Sequence, residues 1–407
     1  MLRRPYRLPR FMVFIALLWF GATALAQTSV EAFREVLRDH ATFTTGDLSL
    51  LEQGQMVAKL LAVKDKREVA VCGVVKLEVP LEAFLQATRD NVGRRTNQAI
   101  LQIGKFSNPP TIEDLQTLTL ENRDIEDLKQ CVVGGCALKM PAAMIERVRR
   151  EVDWAAPDYR LKATQLFKSM LMDYVRDYLA RGDAALMEYN DRSQAVHLDE
   201  EHRSLLDSAI YFNQFAPEFA AYLKNFPRPE LAGVENALFW SRIKFGLKPV
   251  ITITHVVIYA RRATNAPQAL VASKQIYADH YFDSSLALSA LINIPGASAP
   301  SDSYLLYTNR SRADALGGFF SGLKRSIVES QAIDGLKTIL QETKLKMEAS
   351  APGGSGPSLR SRTEVPAPRW WDRRWFAGRH LFWWLFVFIS VVGLFWLGKA
   401  YAGRRAR

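Results

Sequence analysis

The order of patterned segments predicts an α+β fold: antiparallel strands, a helical block between the early and late strands, and a long closing helix. Three observations lead there. β-rich or alternating segments occur early, at 67–79 and 99–106, and again in a run from 236 to 312 whose members are separated by Gly, Pro and Asn. Between them, 141–225 carries apolar residues at spacings of three and four, the helical period. A final helical stretch, 315–348, follows the last strand. Amphipathic strands joined by short turns pair antiparallel, and helices segregated from them give α+β rather than α/β.

Taken in order, residues 29–40 read as a short amphipathic helix. The segment 67–79 is the first core strand. Pro80 opens PLEAFLQATRD as a helix with proline in its first turn. AILQIGKF, 99–106, is a strand stopped by NPP, and LQTLTLE, 115–121, alternates and reads as another. DIEDLKQC gives a turn of helix, and ALKM after Cys136 a short strand. The block 141–225 holds three helical stretches, the second with Gly182 just past its end. The late strands are NALFWSRIKFG, PVITITHVVIYARR, ALVASKQIYADHYFDSSLALSALINIP and SYLLYTNRSR. The third is too long for one strand and holds two or a bent one. In the closing helix Phe320, Leu323, Ile327 and Leu345 help form the apolar stripe.

The chain ends address the protein to a membrane. A basic stretch, MLRRPYRLPR, precedes the apolar FMVFIALLWF and the small residues Ala24 and Ala26, the layout of a secretory signal over 1–26. An uncleaved anchor is the alternative. Residues 381–398, LFWWLFVFISVVGLFWLG, carry no charge and are flanked by tryptophans, as expected of a single transmembrane helix with interfacial anchors. Residues 349–380, rich in Gly, Ser, Pro and Arg, read as a tether, and 399–407 as a short basic cytoplasmic tail. Export from the N-terminus and arrest at 381 would leave 27 to about 380 outside, in the periplasm, with 27–348 as the folded domain.

The formal net charge is +11. Residues 1–26 hold four arginines and no acid, and 355–407 hold ten basic residues against two acids, which leaves 27–354 at about −1. The body therefore lacks the basic footprint of a nucleic-acid partner. Cys131 and Cys136 bracket VVGG. In an oxidising compartment, with no further Cys or His between 73 and 196 to complete a zinc site, they read as a small disulfide clip. Cys72 is left as a buried thiol.

The order of strand, helix, strands, helices, antiparallel strands and closing helix resembles the helix-grip fold of the START-like (Bet v 1-like) superfamily, over about 65–345 and by topology alone. That resemblance implies a curved antiparallel sheet gripping the long C-terminal helix, with 141–225 as a helical insertion, and an apolar cavity between sheet and helix, used for lipids or other hydrophobic ligands. KQIYADHYFD and YLLYTNRSR also resemble an uncharacterised group of secreted bacterial proteins.

Candidate site residues sit in the late strands. HYFD places His280 and Asp283 together with Tyr277 and Tyr281; a bend would let them share a site, whereas on a straight strand they face apart. NRSRAD offers Arg310, Arg312 and Asp314 at the entry to the closing helix, where Arg312 and Arg325 would hold a carboxylate or phosphate head; internal ion pairs with Asp283 or Asp302 are the alternative. Asn309-Arg310-Ser311 is a glycosylation sequon. HLDEEH, 197–202, reads as a solvated helix entry capped by Asp199 rather than a metal site. Phe239, Trp240, Phe245, Tyr259, Tyr277, Tyr281, Phe282, Tyr304 and Tyr307 line either a ligand cavity or a filled core. No GxSxG nucleophile motif occurs, no metal or cofactor is expected, and HExxH is absent. The reading is a membrane-anchored exported module that binds an apolar or amphipathic ligand, with membrane lipid as neighbour and candidate ligand. Two other readings stand beside it: a structural or partner-binding protein of the envelope, and a hydrolase in which His255 or His280 meets Asp283 and Ser284 or Ser285.

Overall fold

The computed structural model describes residues 31, 33–91, 99–245, 248–261, 269–293, 302–316 and 321–350. The segments read as signal, tether, membrane span and tail lie outside these residues, apart from 349–350. No helix among the described residues is long and apolar enough to cross a membrane.

The class is α+β. Helix α1 (33–41) and α2 (Thr45–Glu52) precede β1 (Val57–Leu60) and β2 (Glu68–Glu78); α3 (Leu81–Asn91) leads to β3 (Ile100–Lys105) and α4 (Asn122–Gln130). The helical block holds α5 (Ala142–Glu151), α6 (Tyr159–Arg181), a two-residue pairing of β4 (Glu188–Tyr189) with β5 (Val196–His197), α7 (Leu198–Asp207), α8 (Ile210–Phe215) and α9 (Pro217–Asn225). Then come β6 (Val234–Phe245), β7 (Lys248–Ala260), β8 (Ala269–Ala278), β9 (Phe282–Asn293), β10 (Asp302–Ala313) and α10 (Ser321–Ser350). The long ALVAS…NIP stretch is thus two strands bent at 279–281. Eight strands form one antiparallel sheet in the order β1-β2-β10-β9-β8-β7-β6-β3.

Both faces of the sheet are covered. Because side chains alternate along a strand, β2 sends Ala70, Cys72 and Val74 into a core shared with the helical block, and Val69, Val71, Val75 and Leu77 into a second core beneath α3 and α10. The helical block is therefore the back layer of the sheet. Helix α10 packs chiefly on β2 and β1, with its buried row at Val328, Ala332, Leu336, Ile339, Leu340 and Met347. Gly73 lets it come that close: a Cβ there would lie 2.6 Å from a Leu340 methyl and 3.0 Å from one of Leu336. Leu345, expected on the apolar stripe, is 59 % exposed instead, and Phe320 and the side chain of Leu323 lie outside the described residues.

Two expected strands do not form. In 115–121, a 3-10 turn (Ile112–Leu115) replaces the start, and the rest runs beside β3 without a backbone ladder. The Gln102 amide takes the place of the ladder, donating to Thr117 O (2.8 Å) and accepting from Thr119 N (3.1 Å). Burial does not follow the alternation: Leu115 and Leu118 are buried, and their spacing of three suits a turn rather than a strand. ALKM is likewise held by single bonds: Lys139 N donates to Asp279 O and Met140 O accepts from Asn190 N.

Candidate functional site

The residues nominated from sequence converge on one end of the sheet, where β2 and β9 begin and β8 and β10 finish. Asp283, the second residue of β9, is fully buried and accepts from Lys139 Nζ (2.9 Å), Arg67 Nη1 (2.8 Å) and Arg192 Nη2 (2.6 Å). Arg67 continues to Asp65 and Glu201, and Glu201 accepts from Arg312 Nη1 (2.7 Å). Arg312 and Arg310 both hold the buried Glu68 carboxylate. Burial opposes a charge on Lys139, but Asp283, Asp314 and Asp191 together raise its pKa above the ordinary lysine value. Burial likewise opposes charge on Arg312, and Glu201 and Glu68 outweigh it. Internal ion pairs do form, but not with the expected acids: Arg310 and Arg312 take Glu68 and Glu201, while Asp283 is held by Arg67, Lys139 and Arg192, and Asp302 by Lys76.

The anion cradle at the entry to the closing helix is corrected by this geometry. Arg310 and Arg312 lie within β10, and their side chains project to the helical-block face, away from α10, so Glu68 and Glu201 already occupy the forks. Arg325 does not join Arg312. It donates to the carbonyls of Lys66 and Glu68 and pairs with Glu329. Asn309 is fully buried in β10, so the sequon cannot accept a glycan in the folded chain. In HLDEEH the helix cap is His197 rather than Asp199, and the segment is not merely solvated: Glu201 enters the ion-pair network and His202 is buried, its Nε2 2.7 Å from Gln275 O.

His280 and Asp283 face apart. His280 Nδ1 donates to Ala137 O (2.9 Å), and its Nε2 lies 3.9 Å from Asp124 Oδ1 and 4.0 Å from Asp279 Oδ2. Burial pushes Asp279 up to about 6, with His280 opposing and Asp124 adding to the rise. Burial works against a charged His280, and Asp279 and Asp124 reverse it, so its pKa is raised. Tyr281 turns the bend at φ 62°, and its hydroxyl accepts from Lys248 N. Tyr277 packs edge-on to Tyr189 within the back core. The Cys131–Cys136 disulfide forms as expected and closes the tight turn at Val132–Gly135, where Gly134 has φ +80°, a conformation natural to glycine. Cys136 N and Gly134 N then bond Asp191 O and Asn190 O, so the clip is stitched to the same sheet end. Cys72 is buried and its thiol pushed up to about 12 by desolvation.

No assembly for nucleophilic catalysis appears among these groups. His255 bonds Tyr178 OH and Asn236 Oδ1, and burial drives it down to about 3, so it is neutral. Ser285 bonds Ser311, Ser284 is buried without a partner, and Asp283 is committed to three cations. Among the described residues no three His, Cys, Asp or Glu are grouped to hold a metal.

At the opposite end of the strands, on the α10 face, lies a cleft of about 250 Å³. Its lining combines Ala237 and Phe239 of β6, Val256 and Ile258 of β7, Lys105 of β3, and Arg89 and Asp90 of α3, with Glu235 and Asn236 at the start of β6. Pairing explains the arrangement: Lys105 is opposite Phe239, and Ala237 is opposite Val256, so these side chains share one face. Helix α10 packs chiefly at the β1–β2 side, and among the described residues α3 is the helix that reaches this corner. A bidentate ion pair from Arg89 to Glu235 (2.6 and 2.9 Å) ties α3 to β6 beside the cleft. Of the nominated aromatic residues whose side chains are described, Phe239 alone lines it, and the side chain of Phe245 lies outside the described residues. Trp240, Tyr259, Tyr277 and Tyr304 face the helical block, and Phe282 and Tyr307 the α10 core.

Comparisons with known proteins add little. No family model matches the chain, and no curated protein matches it. Among solved structures, the chain is similar to the Zhui aromatase/cyclase from Streptomyces sp. R1128, at 11% identity over 39% of this chain and 90% of that one. The TM-score is 0.22, and the likeness carries no argument here.

Proposed function

We propose that the folded body is a binding module for an apolar or amphipathic ligand, and that the ligand lies in the cleft between α3 and the β3-β6-β7 corner. The observation that carries this reading is the cleft itself: about 250 Å³, with an apolar floor of Ala237, Phe239, Val256 and Ile258 and a charged rim. Small-molecule sites are concave and mostly apolar with a few placed polar groups, at about 300 Å³ and upward, so the volume suits a small or partly inserted ligand. The strand order with α10 against β2 supports the helix-grip resemblance, in which ligands lie between sheet and helix. The uncharged, Trp-flanked 381–398 supports a tether to the bilayer with the body exported, so that ligand exchange with lipid would need little diffusion.

The other two readings gain less support. A partner surface on the helical block would need a contiguous apolar patch, but in 141–225 the large exposed apolar side chains are Leu161 and Ile210, standing singly. Hydrolysis would need a nucleophile bonded to a base, and His255 and His280 bond neither Ser284 nor Ser285.

Mass spectrometry of organic extracts from purified protein tests the proposal, with Ala237→Trp as the filled-cleft control. Wild-type protein should carry a reproducible amphiphile that the variant has lost. An equal load on both, or none on wild type across preparations, would count against it.

A further inference from the structure

We propose that Lys105 anchors the anionic head of a single-chain amphiphile whose apolar body lies along the cleft, an inference that rests on the binding reading above. Three features of the rim lead to it. Lys105 ends β3, the last strand of the sheet, so its ammonium stands at the boundary between the cleft and water. Its Nζ lies 5.9 Å from the centre of the Phe239 ring, which places the aliphatic stem along the apolar floor and the charge above it, the usual posture of an amphipathic side chain. No carboxylate pairs with Lys105 among the described residues, whereas the other cation of the lining, Arg89, is taken up by Glu235, and Asp90 has an interaction of its own.

The chemistry follows from that imbalance. A neutral head gains only apolar burial and leaves Lys105 to water. A quaternary ammonium head meets a like charge. A carboxylate, sulfate or phosphate head gains a charge-assisted contact with Lys105 while remaining hydrated on its outer side, and its tail covers Phe239, Val256 and Ile258. The shared chemistry is an anion on one alkyl chain; a free fatty acid and an anionic headgroup still in a bilayer are its two sources, and the position of Lys105 at an open rim fits the free molecule.

The test titrates the full chain, held in phosphatidylcholine nanodiscs, with decanoate, decanol and decyltrimethylammonium by calorimetry, using empty discs as the blank. Wild type should bind decanoate roughly tenfold more tightly than decanol, the step expected of one partly exposed charge-assisted contact. Lys105→Gln should bring the two within about twofold through weaker decanoate binding, with decanol unchanged, and Lys105→Arg should restore the preference. Equal affinities for decanoate and decanol in wild type, or a preference that survives Lys105→Gln, would overturn the headgroup assignment while leaving the cleft reading intact. No binding of any probe would overturn both. Association with phosphatidylglycerol vesicles through Lys105, without decanoate binding, would assign the anion to the bilayer and overturn the free-ligand assignment.

Discussion

Asp283 is where the sheet end is decided. Its carboxylate is fully buried, yet three cations reach it, and one of them, Lys139, is itself only 2 % exposed. Such a pair need not add net stability over an apolar replacement, but removing one partner leaves a buried charge uncompensated. Asp283→Asn should therefore cost about 3–5 kcal/mol in denaturant unfolding, and a loss below 1 kcal/mol would contradict the network as drawn. Asp279 makes a pH prediction. Its folded pKa, about 6, lies above its unfolded value near 4, so the native state binds that proton more tightly. The stability it contributes falls as pH rises from about 4 through 6 and stays lost above. Asp279→Asn keeps an oxygen for Ile251 N and cannot ionise. The unfolding free energy of the variant relative to wild type should rise by on the order of 2 kcal/mol between pH 4 and 7, read as one transition of the Asp279–His280 pair. A difference that does not change with pH would show that Asp279 is not perturbed.

At the scale of elements, the close seat of α10 on β2 depends on a missing side chain. Gly73→Val would drive its methyls into Leu336 and Leu340 and push the helix outward, at about 1–3 kcal/mol; an unchanged midpoint in denaturant would mean the helix does not sit there. Regular elements were legible because their patterns are long. β2, β6 to β10 and the helices α5 and α6 follow from period and punctuation, whereas the third helical stretch of 141–225, read as one, is broken into α7, α8 and α9. The short ones were not. In 115–121, three leucines alternate with threonines as in a strand, but a side chain, Gln102, supplies the bonds, and nothing in the sequence announces that exchange. The sites divided along the same line. NRSRAD and HYFD drew notice through charge, and charge in a buried strand is consumed by ion pairs whose partners, Arg67, Glu68, Lys139 and Glu201, come from distant segments. The cleft residues Ala237, Val256 and Ile258 gave no signal. Both faces of β6 and β7 are apolar, so alternation cannot say which face is packed and which is hollow.

For the whole molecule, the helical block matters more than an insertion would. It closes the back of the sheet over Trp240, Ile253, Tyr277, Leu288 and Leu306, which would otherwise meet water. Removing 141–225 should leave no independently folded helix-grip core: the shortened chain should be insoluble or bind a hydrophobic dye without cooperative unfolding. A soluble, cooperatively unfolding product would show the block to be an appended domain. The two ends of the sheet then have different work. One end is filled, charged and clipped by Cys131–Cys136; the other keeps a cleft under α3, and the ligand reading places the function there. Photolabelling tests that most directly. A decanoate analogue carrying a terminal diazirine, irradiated with the full chain and mapped by peptide mass spectrometry, should label 237–239 and 256–258, with labelling suppressed by excess decanoate. Competable labelling confined to the helical block or to the 131–139 clip, with the cleft strands unmarked, would contradict the account.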